Sequence, residues 1–348
     1  EAVALLGDDG REDHVAGVLG HGGHFAASSA AVSSASVEVA DPLGRPVEAA
    51  YGVAEVDGRR VAFVEMSAAS GIWRVDASER APLRSSTYGT GELIRHAAEV
   101  SGAERIYVGI GGSATNDGGA GMAAALGVKF LDQQGEVLSG NPESLENLAT
   151  IDESGRIPLP EIVVACDVDN PLCGERGASA IFGPQKGASA ADVERLDEIL
   201  ERLAQVSDGS GMAATPGAGA AGGLGFGLLR FTDARLVSGF DLVAEAIHLK
   251  EKVTAADLVI TGEGSLDQQT LGGKGPSGVA GMARECGVPV VAVAGRVEEG
   301  AAALFDEVLS LEAFGLPKEE SIARASELLE TIVGHSHPLL EDLVKSPD

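Results

Sequence analysis

The sequence predicts an α/β fold with largely parallel sheets. Apolar runs of strand length alternate with helical stretches along the chain, as in strands joined by crossover helices. At 348 residues the chain is long enough for two domains, and its 44% hydrophobic content indicates a globular protein. The C-terminal third is the most regular part and predicts a Rossmann-like half.

The predicted strands are short runs rich in β-branched residues. In chain order they are SVEVA, RRVAFVEM, RIYVGI, EIVVACDV, DLVITGEG, VPVVAVAG and the short run VLSL. Helical periodicity predicts helices over 190–206 and 318–333, and VKFLD, ending at Asp132, is typical of a short hairpin. In the C-terminal third we expect helical crossovers through GPSGVAGMARECG and AAALFDE.

A glycine-rich segment, SDGSGMAATPGAGAAGGLGFGLL, covers residues 207–229. Its composition alone leaves open a flexible linker. Its second half mixes small residues with apolar ones, which favours ordered backbone packing or a ligand loop. We therefore expect order here, with a domain junction just after the segment.

The net charge of the chain limits the kinds of partner that it is expected to bind. A net charge of −28, with no local basic cluster, argues against nucleic acid and anionic membranes as partners. No apolar run has the length of a transmembrane helix and no signal peptide is visible, so we expect a cytoplasmic protein. Three cysteines, an odd number, are expected to be structural thiols in a reducing compartment.

The first polar cluster is the glycine loop GIGGSATNDGG, residues 109–119. Gly109, Gly111 and Ala114 nearly satisfy a dinucleotide fingerprint, so a nicotinamide dehydrogenase is one alternative. However, no acidic residue ends a second strand where that fold needs one. The loop also carries four polar side chains: Ser113, Thr115, Asn116 and Asp117. Such a loop suits a phosphate or a polyol with its metal ion.

The second cluster, CDVDN, follows another strand. Asp167, Asp169 and Asn170 are candidate metal or substrate ligands, and Lys186 in the later GPQKG is a candidate phosphate partner. An ordinary Asx-rich turn with a surface lysine remains the alternative.

The third cluster, TGEGSLDQQTLGGKG, places Glu263 and Asp267 at the end of a strand and Lys274 behind them. It does not have the Walker A spacing. A strand-to-helix loop with incidental charge is the alternative here. The histidines form no nucleophile–base set, and no serine-hydrolase elbow is present.

Four long blocks carry a family resemblance: YVGIGGSATNDGGAGMAAALG, VACDVDNPLCGERGASAIFGPQKGAS, PGAGAAGGLGFGLL and DLVITGEGSLDQQTLGGKGPSGVA. They resemble, in order, the signature blocks of the bacterial type I glycerate kinases, as do the upstream blocks VEMSAASGI and PLRSSTYGTGELI. The resemblance implies ATP-dependent phosphorylation of D-glycerate, usually to 2-phosphoglycerate. It also implies an α/β domain over 35–239, inserted into a Rossmann-like domain formed by 1–34 and 240–348.

The beginning of the chain departs from that family. The first-strand motif, similar to Ala-Pro-Asp-Ser-Phe-Lys-Gly, is missing, and Arg11 and Asp13 stand where a second loop has glycines. We therefore expect either a sequence that begins inside a longer reading frame or a catalytically impaired homologue that acts as a binding or regulatory protein.

The resemblance also implies a mechanism, in which Mg²⁺, ATP and D-glycerate meet in a cleft between the domains. We expect Asp117, Asp167 or Asp169 to act on the glycerate hydroxyl or its metal, while Lys186 and Lys274 neutralise phosphate charge. Expected metal ligands are Asp169 and Glu263. Expected substrate or phosphate contacts are Gly111, Gly112, Ser113, Thr115, Asn116, Asn170, Glu263 and Asp267. Which loop takes which ligand, the 2- or 3-phosphoglycerate product and the oligomeric state stay open, with a homodimer as one alternative.

Overall fold

The computed structural model describes residues 4–6, 33–56, 58–266, 275–298 and 300–345. These residues form a mixed α/β protein, which confirms the predicted fold class. The chain divides into two compact units. The larger unit holds the described residues from Ser33 to Ser238, and the smaller unit holds Ala4–Leu6 and the described residues from Gly239 onward.

The secondary-structure elements are numbered in chain order. The strands are β1 (Ala4–Leu6), β2 (Ser33–Ala40), β3 (Pro46–Val56), β4 (Arg59–Glu65), β5 (Arg105–Gly109), β6 (Lys129–Leu131), β7 (Val137–Leu138), β8 (Thr150–Asp152), β9 (Glu161–Ala165), β10 (Arg235–Val237), β11 (Leu258–Leu266), β12 (Val290–Val297) and β13 (Glu307–Ser310). The helices of the larger unit are α1 (Ser67–Ser70), α2 (Tyr88–Glu99), α3 (Ala120–Ala125), α4 (Pro142–Leu145), α5 (Ala178–Phe182), α6 (Ala190–Val206), α7 (Ser210–Ala213) and α8 (Ala220–Thr232). Those of the smaller unit are α9 (Gly239–Ala246), α10 (Leu249–Thr254), α11 (Gly275–Cys286), α12 (Lys318–Ala323), α13 (Ala325–His335) and α14 (His337–Lys345).

The larger unit is built on a six-stranded sheet in the order β10-β9-β5-β4-β3-β2. Strands β10, β9, β5 and β4 are parallel, and β3 and β2 continue the sheet antiparallel. Because successive side chains of a strand alternate between faces, Val64 and Val108 point into the core with Leu93 of α2 and Leu224 of α8. The carboxyl ends of β4, β5 and β9 therefore lie side by side at one edge of the sheet.

The smaller unit is a three-layer sandwich around the sheet β1-β11-β12-β13. Strands β11, β12 and β13 are parallel, whereas β1 pairs antiparallel with β11. Val259 packs in a core with residues of α10 and α11, while its neighbour Leu258 packs on the other face with Ile332 and Leu340. This alternation buries both faces of the sheet, as the near-continuous apolar strands predict.

Most predicted elements are confirmed. Each strand run named above overlaps an observed strand. VKFLD contains β6, which pairs with β7 in a hairpin. The helix predicted over 190–206 is α6, which begins with a capping box of Ser189 and Asp192. The helix predicted over 318–333 is instead two helices that meet at Arg324, where the backbone leaves the helical region.

The helix predicted through AAALFDE is wrong. Only Ala301–Leu304 forms a turn, of the 3-10 type, and Phe305 then adopts an extended conformation at φ −120° and ψ 152°. Phe305 is buried in the core beside Ala294, so packing of this ring overrides the helix preference of the alanine run.

The glycine-rich segment is ordered, as predicted. Within α8, Ala221, Gly222 and Gly223 adopt left-handed backbone conformations and form a kink. At this kink the Gly222 carbonyl accepts a 3.0 Å hydrogen bond from the Gly118 N–H of the loop after β5. A Cβ atom on Gly222 would lie 1.9 Å from the Thr115 carbonyl oxygen, so only glycine permits this backbone contact.

None of the helices within the described ranges combines the length and the apolar character needed to cross a membrane.

The backbone contact at Gly222 can be tested by substitution. We expect Gly222→Ala to lower the free energy of unfolding by about 3 kcal/mol, because it adds a clash with Thr115 to a strained positive φ. Gly211→Ala, at an exposed helical position with open space around it, should change stability by less than about 1 kcal/mol. Urea unfolding of both variants measures the difference, and equal stabilities would contradict the packing role.

Candidate functional site

The loop of residues 110–119 leaves the carboxyl end of β5. Gly111 and Gly112 are exposed, whereas the polar side chains that follow are buried. The loop is fixed from one side by the Ile72 N–H, which donates to the Gly112 carbonyl at 2.8 Å, and by the Ala114 N–H, which donates to the Ser70 carbonyl at 3.0 Å. The face that this loop presents to solvent is therefore backbone, with the polar side chains turned inward.

Lys186 lies beneath this loop. It ends a 3-10 turn at Pro184–Lys186, and its side chain is only 2% exposed. The Lys186 Nζ donates to the Thr115 carbonyl at 2.7 Å and to the Ser113 Oγ at 3.3 Å. Burial lowers the pKa of Lys186 to about 7, although the charge of Asp117 opposes this shift. The structure thus brings together Lys186, Ser113 and Thr115, but places them behind the exposed backbone.

Asn116 is also buried. Its Nδ2 donates to the Ser179 Oγ at 2.9 Å, while its Oδ1 accepts no hydrogen bond from any residue that the structure describes. Buried acceptors are usually satisfied by protein, water or ligand. The Asn116 Oδ1 is therefore a candidate acceptor for a bound water or a substrate hydroxyl.

Asp117 is enclosed by hydrogen-bond donors. Its carboxylate accepts from the backbone N–H and the hydroxyl of Thr87 at 2.7 and 2.8 Å, and from the N–H groups of Gly119 and Gly121 at 3.1 and 3.2 Å. Burial raises the pKa of Asp117, and these hydrogen bonds oppose the rise. The carboxylate joins the beginning of α2 to the beginning of α3, which is a positioning role that the sequence did not reveal.

The turn after β9 is exposed. Asp169 forms an ion pair with Arg176, whose Nη2 lies 2.9 Å from both carboxylate oxygens, and Arg176 holds the pKa of Asp169 below its usual range. The Asn170 Nδ2 donates to the Arg176 carbonyl at 2.8 Å, and Asp167 is exposed beside them. The hydrogen bonds of the Lys186 Nζ go to the glycine loop rather than to this turn.

The predicted metal ligands belong to different units, with Asp169 in the larger and Glu263 in the smaller. Within the described ranges, no group of three histidine, cysteine or acidic residues is placed to hold a metal ion. Glu263 is half-buried on β11, while the predicted site residues Asp267 and Lys274 lie outside the described residues.

Glu65 is a candidate that sequence reasoning missed. It ends β4 and is paired in register with Gly109 of β5, which is paired with Ala165 of β9. The Glu65 carboxylate lies over Gly109, since a Cβ atom there would be 2.6 Å from its Oε2. Burial raises the pKa of Glu65 to about 7. A carboxylate with this pKa suits proton transfer near neutral pH.

The three cysteines are free thiols, in line with the predicted absence of a disulfide framework. Burial and the charges of Asp197 and Glu201 raise the pKa of Cys173 to about 12, and burial raises that of Cys166. Neither thiol is a ready nucleophile at neutral pH.

Trp73, the only tryptophan in the chain, is exposed next to Ile72, with the Arg74 guanidinium 4.4 Å from its ring centre.

The comparisons with known proteins agree with one another. A family model described as the glycerate kinase family matches residues 20–340. The chain is 48% identical to a glycerate kinase of Halalkalibacterium halodurans over 304 residues. The aligned residues cover 84% of this chain and 79% of the relative. It is 49% identical over 267 residues to the glycerate 2-kinase of Escherichia coli K12, covering 75% of this chain and 69% of the relative.

A solved structure is also similar. The crystal structure of a Salmonella typhimurium LT2 protein assigned as glycerate kinase 2 matches with a TM-score of 0.70 and 47% identity, over 80% of this chain and 75% of that chain. The α/β architecture and these relatives define the chain as a kinase. It belongs to the glycerate kinase family.

The positioning role of Asp117 predicts a stability effect. We expect Asp117→Asn to lower the free energy of unfolding by about 3 kcal/mol, because the new NH₂ group faces N–H donors in a buried site. The matched control is Asp132→Asn, since a single oxygen of that turn residue accepts both of its hydrogen bonds and the amide oxygen can replace it. Wild-type stability with turnover abolished in Asp117→Asn would instead favour the general-base role.

Burial of Lys186 predicts a pH-dependent stability. Between pH 7 and 10.5, the unfolded chain holds a proton on Lys186 that the folded chain lacks, so this group makes the free energy of unfolding rise with pH. The stability of wild type relative to Lys186→Met should therefore increase by up to about 1.4 kcal/mol per pH unit in that window. Urea unfolding at pH 7, 8 and 9 measures it, with exposed Lys129→Met as control. A difference independent of pH would refute the prediction.

Proposed function

We propose that this chain transfers the γ-phosphoryl group of ATP to D-glycerate and forms 2-phosphoglycerate. The observation that carries the proposal is the family match over residues 20–340. The name of the Escherichia coli relative, glycerate 2-kinase, favours the 2-phosphate over 3-phosphoglycerate as product. None of these observations favours the alternative of an impaired homologue with a binding or regulatory role. The partners we propose are small molecules, and we expect the enzyme to work in the cytoplasm, where ATP is available.

The geometry after β5 supports an anionic ligand at the exposed backbone. The N–H groups of Gly111 and Gly112 donate no hydrogen bond within the described part of the chain. Backbone N–H groups in a glycine loop at the carboxyl end of a parallel strand suit phosphate or carboxylate oxygens. We propose that this backbone binds the carboxylate of D-glycerate or a phosphate of ATP.

Lys186 supports such a ligand from beneath. Its side chain is buried and already bonded to Thr115 and Ser113, so it acts on the ligand through the loop rather than by contact, and it adds positive charge below its pKa of about 7. Phosphoryl transfer depends mainly on positioning and charge neutralisation, which this arrangement supplies. Thr115, Asn116 and Asp117 then hold the loop in shape, and the buried Asn116 Oδ1 accepts no hydrogen bond from the described residues.

Mg²⁺ fits the donor types of the chain. In nucleotide sites this ion is held by one or two carboxylates together with phosphate oxygens, and when bound it neutralises phosphoryl charge. Asp169 in the larger unit and Glu263 in the smaller each supply carboxylate oxygens of this type, and each stays a proposed ligand in its own unit. Because Asp169 is engaged by Arg176, metal binding there requires this exposed ion pair to open.

A coupled assay tests the proposed function. We expect ADP to form from ATP only when D-glycerate and Mg²⁺ are both present, with one phosphoglycerate formed per ADP. Phosphorus NMR of the product distinguishes the 2-phosphate from the 3-phosphate. Absence of ADP formation that depends on D-glycerate would refute the proposal.

The same assay tests the ligand contact at the loop. Gly111→Val adds a side chain where a Cβ atom meets nothing within 4 Å, so we expect an unchanged melting temperature and a rise of about tenfold or more in the KM of the ligand bound there. Gly211→Ala, which is also exposed and uncrowded, is the control and should leave KM unchanged. Normal KM values for both substrates in Gly111→Val would place the ligand elsewhere.

A further inference from the structure

The carboxyl end of β4 carries an acidic side chain in unusual surroundings. Glu65, Gly109 and Ala165 form one row across β4, β5 and β9, so their side chains project from the same face of the sheet. The neighbours of Glu65 in this row carry only a hydrogen atom and a methyl group. The Glu65 side chain extends over Gly109 into the space that the missing side chain leaves.

This carboxylate lies close to the exposed backbone of the glycine loop. Gly111 follows Gly109 by two residues, which limits the separation of their Cα atoms to about 7 Å. The chain after β4 also contacts the loop, since a Cβ atom on Gly112 would be 3.7 Å from the Cβ of Ser67. A small hydroxy acid whose carboxylate binds the loop N–H groups would place its hydroxyl within reach of the Glu65 side chain.

The Glu65 carboxylate also has no structural partner among the described residues. It is half-buried, and it makes no hydrogen bond or ion pair with any other residue in the described ranges. By contrast, Asp117 is enclosed by four donors and Asp169 is paired with Arg176. Of these three carboxylates, Glu65 is therefore the one whose oxygens no described residue engages.

We propose that Glu65 is the general base that accepts the proton of the substrate hydroxyl. In this step the hydroxyl oxygen forms a bond to the γ-phosphorus of ATP while its proton passes to the Glu65 carboxylate. The bond between the γ-phosphorus and the bridging oxygen breaks, and its electron pair leaves with ADP. Glu65 then returns the proton to solvent. This role rests on the proposed kinase function.

The surroundings of Glu65 explain its proton affinity. Burial is the cause of the shift that raises the pKa of Glu65 to about 7. On the same face, Tyr107 lies one row away, at about 7 Å, and the ion pair of Arg105 with Glu161 lies two rows away, at about 13 Å. Helix α1, which follows β4, carries no titratable side chain. Within the described part of the chain, no neighbouring charge therefore keeps Glu65 ionised at acidic pH.

The test compares wild type with Glu65→Gln, which keeps the shape of the side chain but removes the base. We expect kcat to fall by about 10²- to 10⁴-fold, while the KM for D-glycerate changes by less than about threefold. In wild type, kcat/KM should rise as the pH passes through neutrality, and this limb should disappear in the variant. Glu38→Gln, on exposed edge strand β2 of the same sheet, is the matched control and should retain wild-type kcat.

A second variant covers the case in which Glu65→Gln does not fold. Gly109→Ala places a methyl group against the Glu65 Oε2, the movable end of a side chain, so we expect a normal melting temperature but a kcat lowered by about tenfold or more. Wild-type kcat in Glu65→Gln, or an unchanged pH limb in its residual activity, would refute the role of Glu65. A wild-type chain without D-glycerate-dependent turnover would refute the proposed function itself, and this role with it.

Discussion

The direct contact between two glycine-rich backbones is the constraint on which the site of the larger unit depends. The loop after β5 and the kink in α8 meet at hydrogen-bond distance, with the Gly118 N–H bonded to the Gly222 carbonyl. Any side chain at Gly222 or Gly223 would enter the backbone or side chains of the neighbouring segments. This contact adds to the hydrogen bond from Ile72, so both ends of the loop are held by protein groups. A preorganised loop needs no reordering when an anion binds.

Charge is distributed in two layers around this loop. The inner layer contains Lys186 and Asp117, both buried, each held by hydrogen bonds that leave little room for movement. The outer layer is neutral backbone at Gly111 and Gly112, with Glu65 at its margin. Such an arrangement keeps the side chains of Lys186 and Asp117 out of water, behind the exposed backbone of the loop. Within the same loop, Gly111 and Gly112 thus expose backbone to solvent, whereas Asp117 is a buried structural residue.

Much of the fold could be predicted from the sequence, because apolar strands of the parallel sheets and the amphipathic α6 leave strong periodic patterns. The candidate loop was also identified from its glycines. The direction of its polar side chains could not be predicted, since a loop has no periodicity that separates buried from exposed positions. The sequence signal for Glu65 is a charged residue at the end of an apolar strand, close to the pattern of CDVDN, where the acidic residues follow the strand. Its importance emerges only from the register that places Gly109 beside it.

The position of Trp73 gives the loop an intrinsic optical reporter. The chain has a single tryptophan, so its tryptophan fluorescence has one source. The residue before it donates a hydrogen bond to the Gly112 carbonyl, and the Trp73 ring lies in solvent against Arg74. A displacement of the loop backbone is therefore passed to the indole through one hydrogen bond and one peptide unit. Emission intensity and quenching by iodide can follow the state of this loop in the unlabelled protein, on the time scale of stopped-flow mixing.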